Sequence, residues 1–267
     1  MGDGLTSAGG PAHAAAALEN ALQAACAGPW AAFAGRLVLQ GPGLAAPAGT
    51  PSPLSALMRP AHRDRIGEDF VAAHGQTERT VIASIWSKWH FAILMPAYLI
   101  ATLLLDWDLA DALPHADFVL DAQGKTVALR LPAEQLRPRA GPPDFLALVD
   151  HLDACIALFG TRTGVTARVL ANNAGNLFES FVQRVASVHG DQPEILARCD
   201  AAHALMARAQ LDGQRPNPLH APVVYLPQRD GPPLRQRRIC CMRYLVPDGV
   251  FCTTCPSPLA ARGARAC

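Results

Sequence analysis

Four cysteines near the C-terminus constrain this chain more than any other feature of its sequence. Cys240, Cys241, Cys252 and Cys255 follow the pattern C-C-x10-C-x2-C. Four thiolates are the ligand set of a structural zinc site or of an iron–sulfur cluster. The intervening residues contain a turn signal at 247–249, which predicts a two-stranded ribbon with Cys241 opposite Cys255. Such a ribbon would bring both cysteine pairs to one end.

Three roles compete for these thiols. Disulfides are the least favoured, because the chain reads as cytoplasmic and thiols stay reduced there. Zinc sites usually use two C-x2–4-C knuckles, whereas the adjacent Cys240 and Cys241 point their side chains apart and cannot form one. A cluster with two irons spaces its ligands more widely. The spacing therefore favours an iron–sulfur cluster, with structural zinc as the alternative.

Composition and hydropathy predict a cytoplasmic globular protein. The 267 residues carry a formal net charge of +1, and 17% are charged, which argues against disorder and against nucleic acid as a partner. The Ala-rich stretch 14–27 has the pattern of a surface helix rather than a signal peptide. The apolar run 89–105 is short for a membrane span and contains Pro96, so it predicts a buried helix broken or bent near the proline. Peripheral membrane association stays open.

The hydrophobic patterns predict a predominantly helical α+β fold. Residues 118–120 and 127–131 flank a turn signal and should form a β-hairpin. We expect two parts, a helical α+β body over 1–221 and a small C-terminal cysteine-bearing ribbon within 222–267. Helical patterns cover residues 63–74, 78–105, 145–159, 165–188 and 193–206, and a short strand is expected at 223–226.

The cysteine segment resembles the FhuF-type siderophore-iron reductases. Their C-terminal signature is this same C-C-x10-C-x2-C motif, and here it stands complete, with arginines before the pair, Arg243-Tyr244 after it and Pro256 after the last cysteine. A weaker similarity lies at 169–174, where Asn173 matches the asparagine of the family's Trp-Gly-Asn. Ala171 and Asn172 depart from that motif.

The resemblance implies a cofactor and an activity. The four cysteines would hold a [2Fe-2S] cluster, and residues 1–221 would bind a ferric siderophore, typically a hydroxamate. The enzyme would be a ferric-siderophore reductase that releases ferrous iron in the cytoplasm by one-electron transfer. Hydroxamate oxygens are hard donors that hold ferric iron tightly and ferrous iron weakly, so one electron suffices to release the metal.

Five further residues are candidates for the surroundings of the site. Arg237, Arg238 and Arg243 flank the cysteines and could raise the reduction potential or dock an electron donor, the alternative being a solvated basic face. Tyr244 is expected to pack beside the cluster. Asn173 falls on an apolar helix stripe, where it would contact substrate, contact the cysteine loop or orient neighbouring helices.

Several sequence features are missing, and they shape the list of partners. The chain has no dinucleotide or Walker fingerprint, which predicts a separate electron donor such as a ferredoxin or a flavin reductase-like protein. The histidines show no H-x3-H pattern, so none is assigned to a metal, and Cys155 and Cys199 are expected to act as small hydrophobic residues. The alternative functions are a zinc-ribbon module that binds a ligand or protein, and a small iron–sulfur electron carrier.

Overall fold

The chain folds into a predominantly helical α+β structure, as predicted. A computed structural model describes residues 11–46, 49–57 and 59–257. The helices are α1 (Pro11–Ala25), α2 (Pro60–His74), α3 (Arg79–Leu99), α4 (Leu146–Thr163), α5 (Ala167–Val188) and α6 (Pro193–Ala207). The strands are β1 (Leu37–Gln40), β2 (Thr50–Pro53), β3 (Trp107–Asp108), β4 (Asp117–Leu120), β5 (Thr126–Pro132), β6 (Arg137–Pro138), β7 (Val223–Leu226) and β8 (Leu234–Arg237).

The main sheet has four strands in the order β1-β5-β4-β2 and packs against α3. Its centre is the predicted hairpin, in which Phe118 pairs with Leu129. The Asp121 carboxylate accepts hydrogen bonds from the backbone amides of Gln123 and Lys125 at 2.9 and 2.8 Å. This local bonding fixes the turn, as aspartate does in tight turns. The hairpin prediction is therefore confirmed.

Helix α3 is the centre of the core. It runs through Pro96 and continues as a π-helical turn over Ile100–Leu104, rather than breaking at the proline. The Ala92 carbonyl, which loses its amide partner at Pro96, instead accepts a hydrogen bond from Arg36 Nη1 at 2.7 Å. The combined helix Arg79–Leu104 is long and apolar enough to cross a membrane, but 72% of its most apolar window is buried inside the protein. Its apolarity therefore serves packing.

Helix α5 lies at the junction between the body and the C-terminal segment, in contact with α3, α4 and α6. The Thr166 hydroxyl caps its first turn by accepting a hydrogen bond from the Val169 amide at 3.4 Å. At Gly175 the helix has no side chain, and an added Cβ would lie 2.8 Å from the Pro222 Cβ. This close approach seats the chain that leads into β7 directly on α5.

The C-terminal ribbon is formed by β7 and β8, with Val223 paired to Arg237. It lies just before the cysteines and not around them. The expected pairing of Cys241 with Cys255 in a ribbon is wrong, because the chain bends into a single 3-10 turn at Arg243–Leu245. The division into parts at 221/222 stays a prediction, and residues 1–10 and 258–267 of those parts lie outside the described residues.

Candidate metal centre

The four predicted cysteines come together in two short, irregular segments after β8. Met242 takes a left-handed conformation, with φ of 61°, and turns the chain directly after Cys241. A tight turn then returns the chain, and a Cβ at Gly249 would collide with the Arg243 carbonyl oxygen, so only glycine fits there. A last turn, in which the Cys255 amide donates to the Cys252 carbonyl at 3.0 Å, sets the second pair of cysteines.

The thiols meet in two pairs across these segments. The Cys252 thiol hydrogen-bonds to Cys241, and the Cys240 and Cys255 thiols contact each other. Backbone amides also point at sulfur atoms: Met242 donates to Cys240 Sγ at 3.3 Å, and Ser257 donates to Cys255 Sγ at 3.4 Å. None of the four forms a disulfide. The arrangement therefore presents four reduced sulfur donors in one place.

A lysine from the core helix reaches one of these thiols. Lys88 on α3 lies with its Nζ 3.4 Å from Cys241 Sγ. From the same helix, the Ser84 hydroxyl donates to the Cys241 carbonyl at 2.9 Å. The hydrogen bond from the Cys252 thiol, together with the positive charges of Lys88 and Arg237, lowers the pKa of Cys241 even though burial opposes this. These contacts favour the thiolate form of Cys241.

Arg237 is the second cation at the site, and it is buried with 2% of its surface exposed. Its guanidinium donates to the amide oxygens of Asn172, at 3.3 Å, and Asn173. The Asn173 amide nitrogen donates in turn to Ser84 and, at 3.0 Å, to Ser87. Within the part of the chain that the structure describes, Arg237 has no acidic partner. Its positive charge is therefore left uncompensated next to the cysteines.

This donor set suits a cluster of two iron ions. Four thiolates around iron carry net negative charge, and a further electron increases it. The structure supplies Lys88, buried Arg237 and two amide N–H groups, all of which stabilise negative charge at sulfur. No carboxylate or imidazole of a described residue hydrogen-bonds to any of the four sulfur atoms. Residues and cofactor are chemically matched.

Comparison with known proteins identifies the segment. Residues 237–256 match the family described as FhuF 2Fe-2S C-terminal domain. The C-terminal segment is a FhuF-type 2Fe-2S domain. The resemblance seen in the sequence is thereby confirmed, and the cofactor is a [2Fe-2S] cluster rather than structural zinc.

The similarity extends more weakly into the body. Over 182 residues the chain is 23% identical to the ferric siderophore reductase of Escherichia coli (strain K12). The match covers 67% of this chain and 66% of that relative, so it spans just under two thirds of the relative's length. Activity, substrate and partners are therefore matters for proposal.

The remaining predicted residues lie around the FhuF-type domain. Asn173 contacts Arg237, Ser84 and Ser87, so it orients α3 and α5 and joins them to the cysteine segment. Tyr244 stacks on Phe251, with ring centroids 4.9 Å apart. Arg238 and Arg243 are both exposed on the surface. Their side chains are therefore free to contact a partner.

The domain is also tied to the end of α2. Asp248, on the loop between the cysteine pairs, accepts a hydrogen bond from His74 Nδ1 at 3.0 Å. This bond lowers the pKa of the Asp248 carboxyl. The next residue of the body, Gly75, lies against Pro247. Contacts from α2, α3 and α5 together hold the cysteine loops in place.

Sequence reasoning missed four residues that contact this site: Ser84, Ser87, Lys88 and Asn172. The signal was present in α3. Ser84, Ser87 and Lys88 are spaced by three and four residues on an otherwise apolar helix, which places them on one face. Lys88 is moreover one of only two lysines in the chain. This polar face of α3 is the surface that contacts the cysteine segment.

A second group of potential ligands lies within the core. His90, His151 and Cys155 each place one ligand atom within 4.8 Å of the others. The sequence signal for this group was the H-x3-C spacing of His151 and Cys155 on α4. Burial lowers the pKa of His90 to about 3 and of His151 to about 4, and raises that of Cys155. The three groups therefore form a neutral cluster, with Thr126 bonded to His90 at 2.9 Å.

Proposed function

We propose that this protein reduces ferric iron bound to a siderophore, and that Cys240, Cys241, Cys252 and Cys255 hold its [2Fe-2S] cluster. The observation that carries the proposal is the convergence of the four thiols of the 2Fe-2S domain with buried Arg237 and with Lys88 from α3. The weak similarity to a ferric siderophore reductase points to the same reaction. When bound, the cluster supplies one electron at a time.

The residues around the cysteines have a definite electrostatic role. Lys88 and Arg237 place positive charge beside Cys241, and the Met242 and Ser257 amides donate to the other cysteine pair. Each of these groups stabilises added negative charge, so together they raise the reduction potential. The hydrogen bonds of Arg237 to Asn172 and Asn173 keep the guanidinium at this position. The higher reduction potential would make it easier for the cluster to accept an electron from a cellular donor.

The substrate chemistry follows from the two oxidation states of iron. Hydroxamate oxygens hold hard ferric iron tightly and release the softer ferrous ion. A protein that delivers one electron to a hydroxamate chelate therefore needs to bring it near the cluster, without a nucleophile or general base. Release of ferrous iron would take place in the cytoplasm. The reaction leaves the siderophore intact.

The electron donor is proposed to be a separate protein. The sequence has no dinucleotide fingerprint, which favours a ferredoxin or a flavin reductase-like donor. Arg238 and Arg243 are exposed beside the cysteines and could dock an acidic donor surface by charge complementarity.

A stopped-flow experiment tests the proposed reaction. The protein is reduced with dithionite, freed of excess reductant and mixed anaerobically with a ferric trihydroxamate and a ferrous trapping chelator. We expect the stronger visible absorption of the oxidised cluster to return rapidly, with one trapped ferrous ion per cluster. A protein that stays reduced for hours would be an electron carrier without this activity. The Cys252→Ser variant serves as the control for direct reduction by residual dithionite.

A further inference from the structure

A basic cleft lies directly beside the cysteine segment. It has a volume of about 500 Å³, and its walls come from the first turns of α5, from residues 217–222 and from the residues flanking the cysteines. Arg238 and Ile239, which precede Cys240, and Pro256, which follows Cys255, all line it. Since the Cys240 and Cys255 thiols contact each other, the cleft lies next to that half of the cysteine cluster.

The cleft carries positive charge that nothing in the described structure neutralises. Arg168 and Arg238 line it, and both are exposed. Their side chains make no hydrogen bond or ion pair with any described residue, and none of the described lining residues is acidic. Free guanidinium groups recognise carboxylates by paired hydrogen bonds. The cleft is therefore built to receive an anionic ligand.

A larger cavity elsewhere in the body differs in this respect. It measures about 780 Å³ and lies between α2, α3 and α4. Two acidic residues are among its described lining, Asp64 and Glu68, and Asp64 lies 3.4 Å from Arg63. Of the two cavities, the smaller one has no acidic residue in its described lining and adjoins the chain that carries Cys240 and Cys255.

We propose that this cleft binds the iron chelate and selects chelates whose hydroxamates are accompanied by free carboxylates. Arg168 and Arg238 would pair with those carboxylates and hold the chelated iron beside the Cys240 and Cys255 half of the site. The inference rests on the proposed reductase function and adds the binding site and the charge class of the substrate. It makes Arg168 and Arg238 residues that determine specificity, while Arg237 stays buried in the wall.

Binding of redox-inert gallium(III) chelates to the oxidised holoprotein tests the proposal by calorimetry. One chelator is a linear trihydroxamate whose terminal amine is acetylated, and the other is the same trihydroxamate with that amine succinylated, which adds one free carboxylate. We expect Arg168→Ala and Arg238→Ala each to weaken binding of the succinylated complex about tenfold, with little change for the acetylated one. The double Lys variant should retain most of the affinity, because it keeps both charges. Arg229→Ala, an exposed arginine at the tip of the β7–β8 turn, is the matched control and should change neither.

Two results would overturn the inference. In one, the double alanine variant binds the succinylated complex as tightly as the unmodified protein. In the other, both complexes lose affinity equally, which would show that carboxylates are not recognised. Neither result affects the proposed function, which depends on reoxidation of the reduced protein by ferric chelates. Conversely, absent reoxidation together with arginine-dependent gallium chelate binding would remove the reductase function and leave the binding site.

Discussion

The core around α3 and the cysteine segment are stabilised by different means. The core buries aliphatic and aromatic side chains such as Phe91, Leu94 and Leu99 completely, and its elements are regular. In the cysteine segment only Cys241, Val246 and Cys255 are buried hydrophobic residues, and it has one 3-10 turn. Its position depends on polar contacts from Ser84, Lys88 and Asn173, and on the cofactor. Metal binding by the four thiols would add folding free energy to a segment with so little apolar burial.

The largest effect is expected on removing a sulfur ligand. Cys252→Ser should abolish the visible spectrum of the cluster and the bound iron and sulfide, while the helical far-UV signal of the body persists. Absorption spectroscopy with iron and sulfide analysis measures the first effect, and circular dichroism the second. Cys199→Ser, in the buried face of α6, is the matched control and should keep the cluster. Loss of the helical signal in Cys252→Ser would show that the body depends on the cluster.

Acid should destabilise the body through its buried histidines. The pKa of His90 is lowered to about 3 and that of His151 to about 4, so below pH 6.5 the unfolded chain binds protons that the folded chain does not. The free energy of unfolding therefore decreases as the pH is lowered, by up to about 2.7 kcal/mol per pH unit between pH 6 and 4. Chemical denaturation followed by circular dichroism at several pH values measures this slope. His151→Gln should halve it, and an unchanged slope would exclude His151 as a cause.

Removal of Arg237 should loosen the contact between the two regions. Arg237→Ala leaves Asn172 and Asn173 without their charged donor, and a hydrogen bond to a charged group contributes about 1.5 to 3 kcal/mol. The free energy of unfolding should fall by about that amount, measured by urea denaturation of the holoprotein. The neighbouring exposed Arg238→Ala should change it by less than about 0.5 kcal/mol. Equal effects for the two variants would contradict the structural role of Arg237.

Lys88 offers the finest test, because it should affect the cofactor more than the fold. Lys88→Met removes a positive charge 3.4 Å from Cys241 Sγ and should lower the reduction potential by about 50 to 100 mV. Lys88→Arg should restore most of the difference, and Lys125→Met, the only other lysine, should change nothing. A redox titration followed by electron paramagnetic resonance measures the potential. An unchanged potential in Lys88→Met would mean that the lysine does not act on the cluster.

The same contrast explains what the sequence could predict. The spacing of apolar residues predicted the helices, because the apolar face of a helix is encoded locally. The 118–131 hairpin was predictable for a similar reason, since the Asp121 side chain bonds within its own turn. The four cysteines proposed as ligands were visible from their spacing. The fold of their loops was not, because it depends on Met242 in a left-handed conformation and on the collision that Gly249 avoids. Lys88 is 153 residues away from Cys241 in sequence, and Asn172 is 65 residues away from Arg237. The polar face of α3 marks a surface, but no local pattern says which distant segment will contact it.

The most direct test of the central claim is the electron paramagnetic resonance spectrum of the dithionite-reduced protein, with iron and acid-labile sulfide determined on the same sample. We predict one unpaired spin for every two iron ions and two sulfides in each chain, with no signal in Cys252→Ser. A protein competent in cluster assembly that contains zinc and no sulfide, or shows one spin for every four irons, would contradict the account.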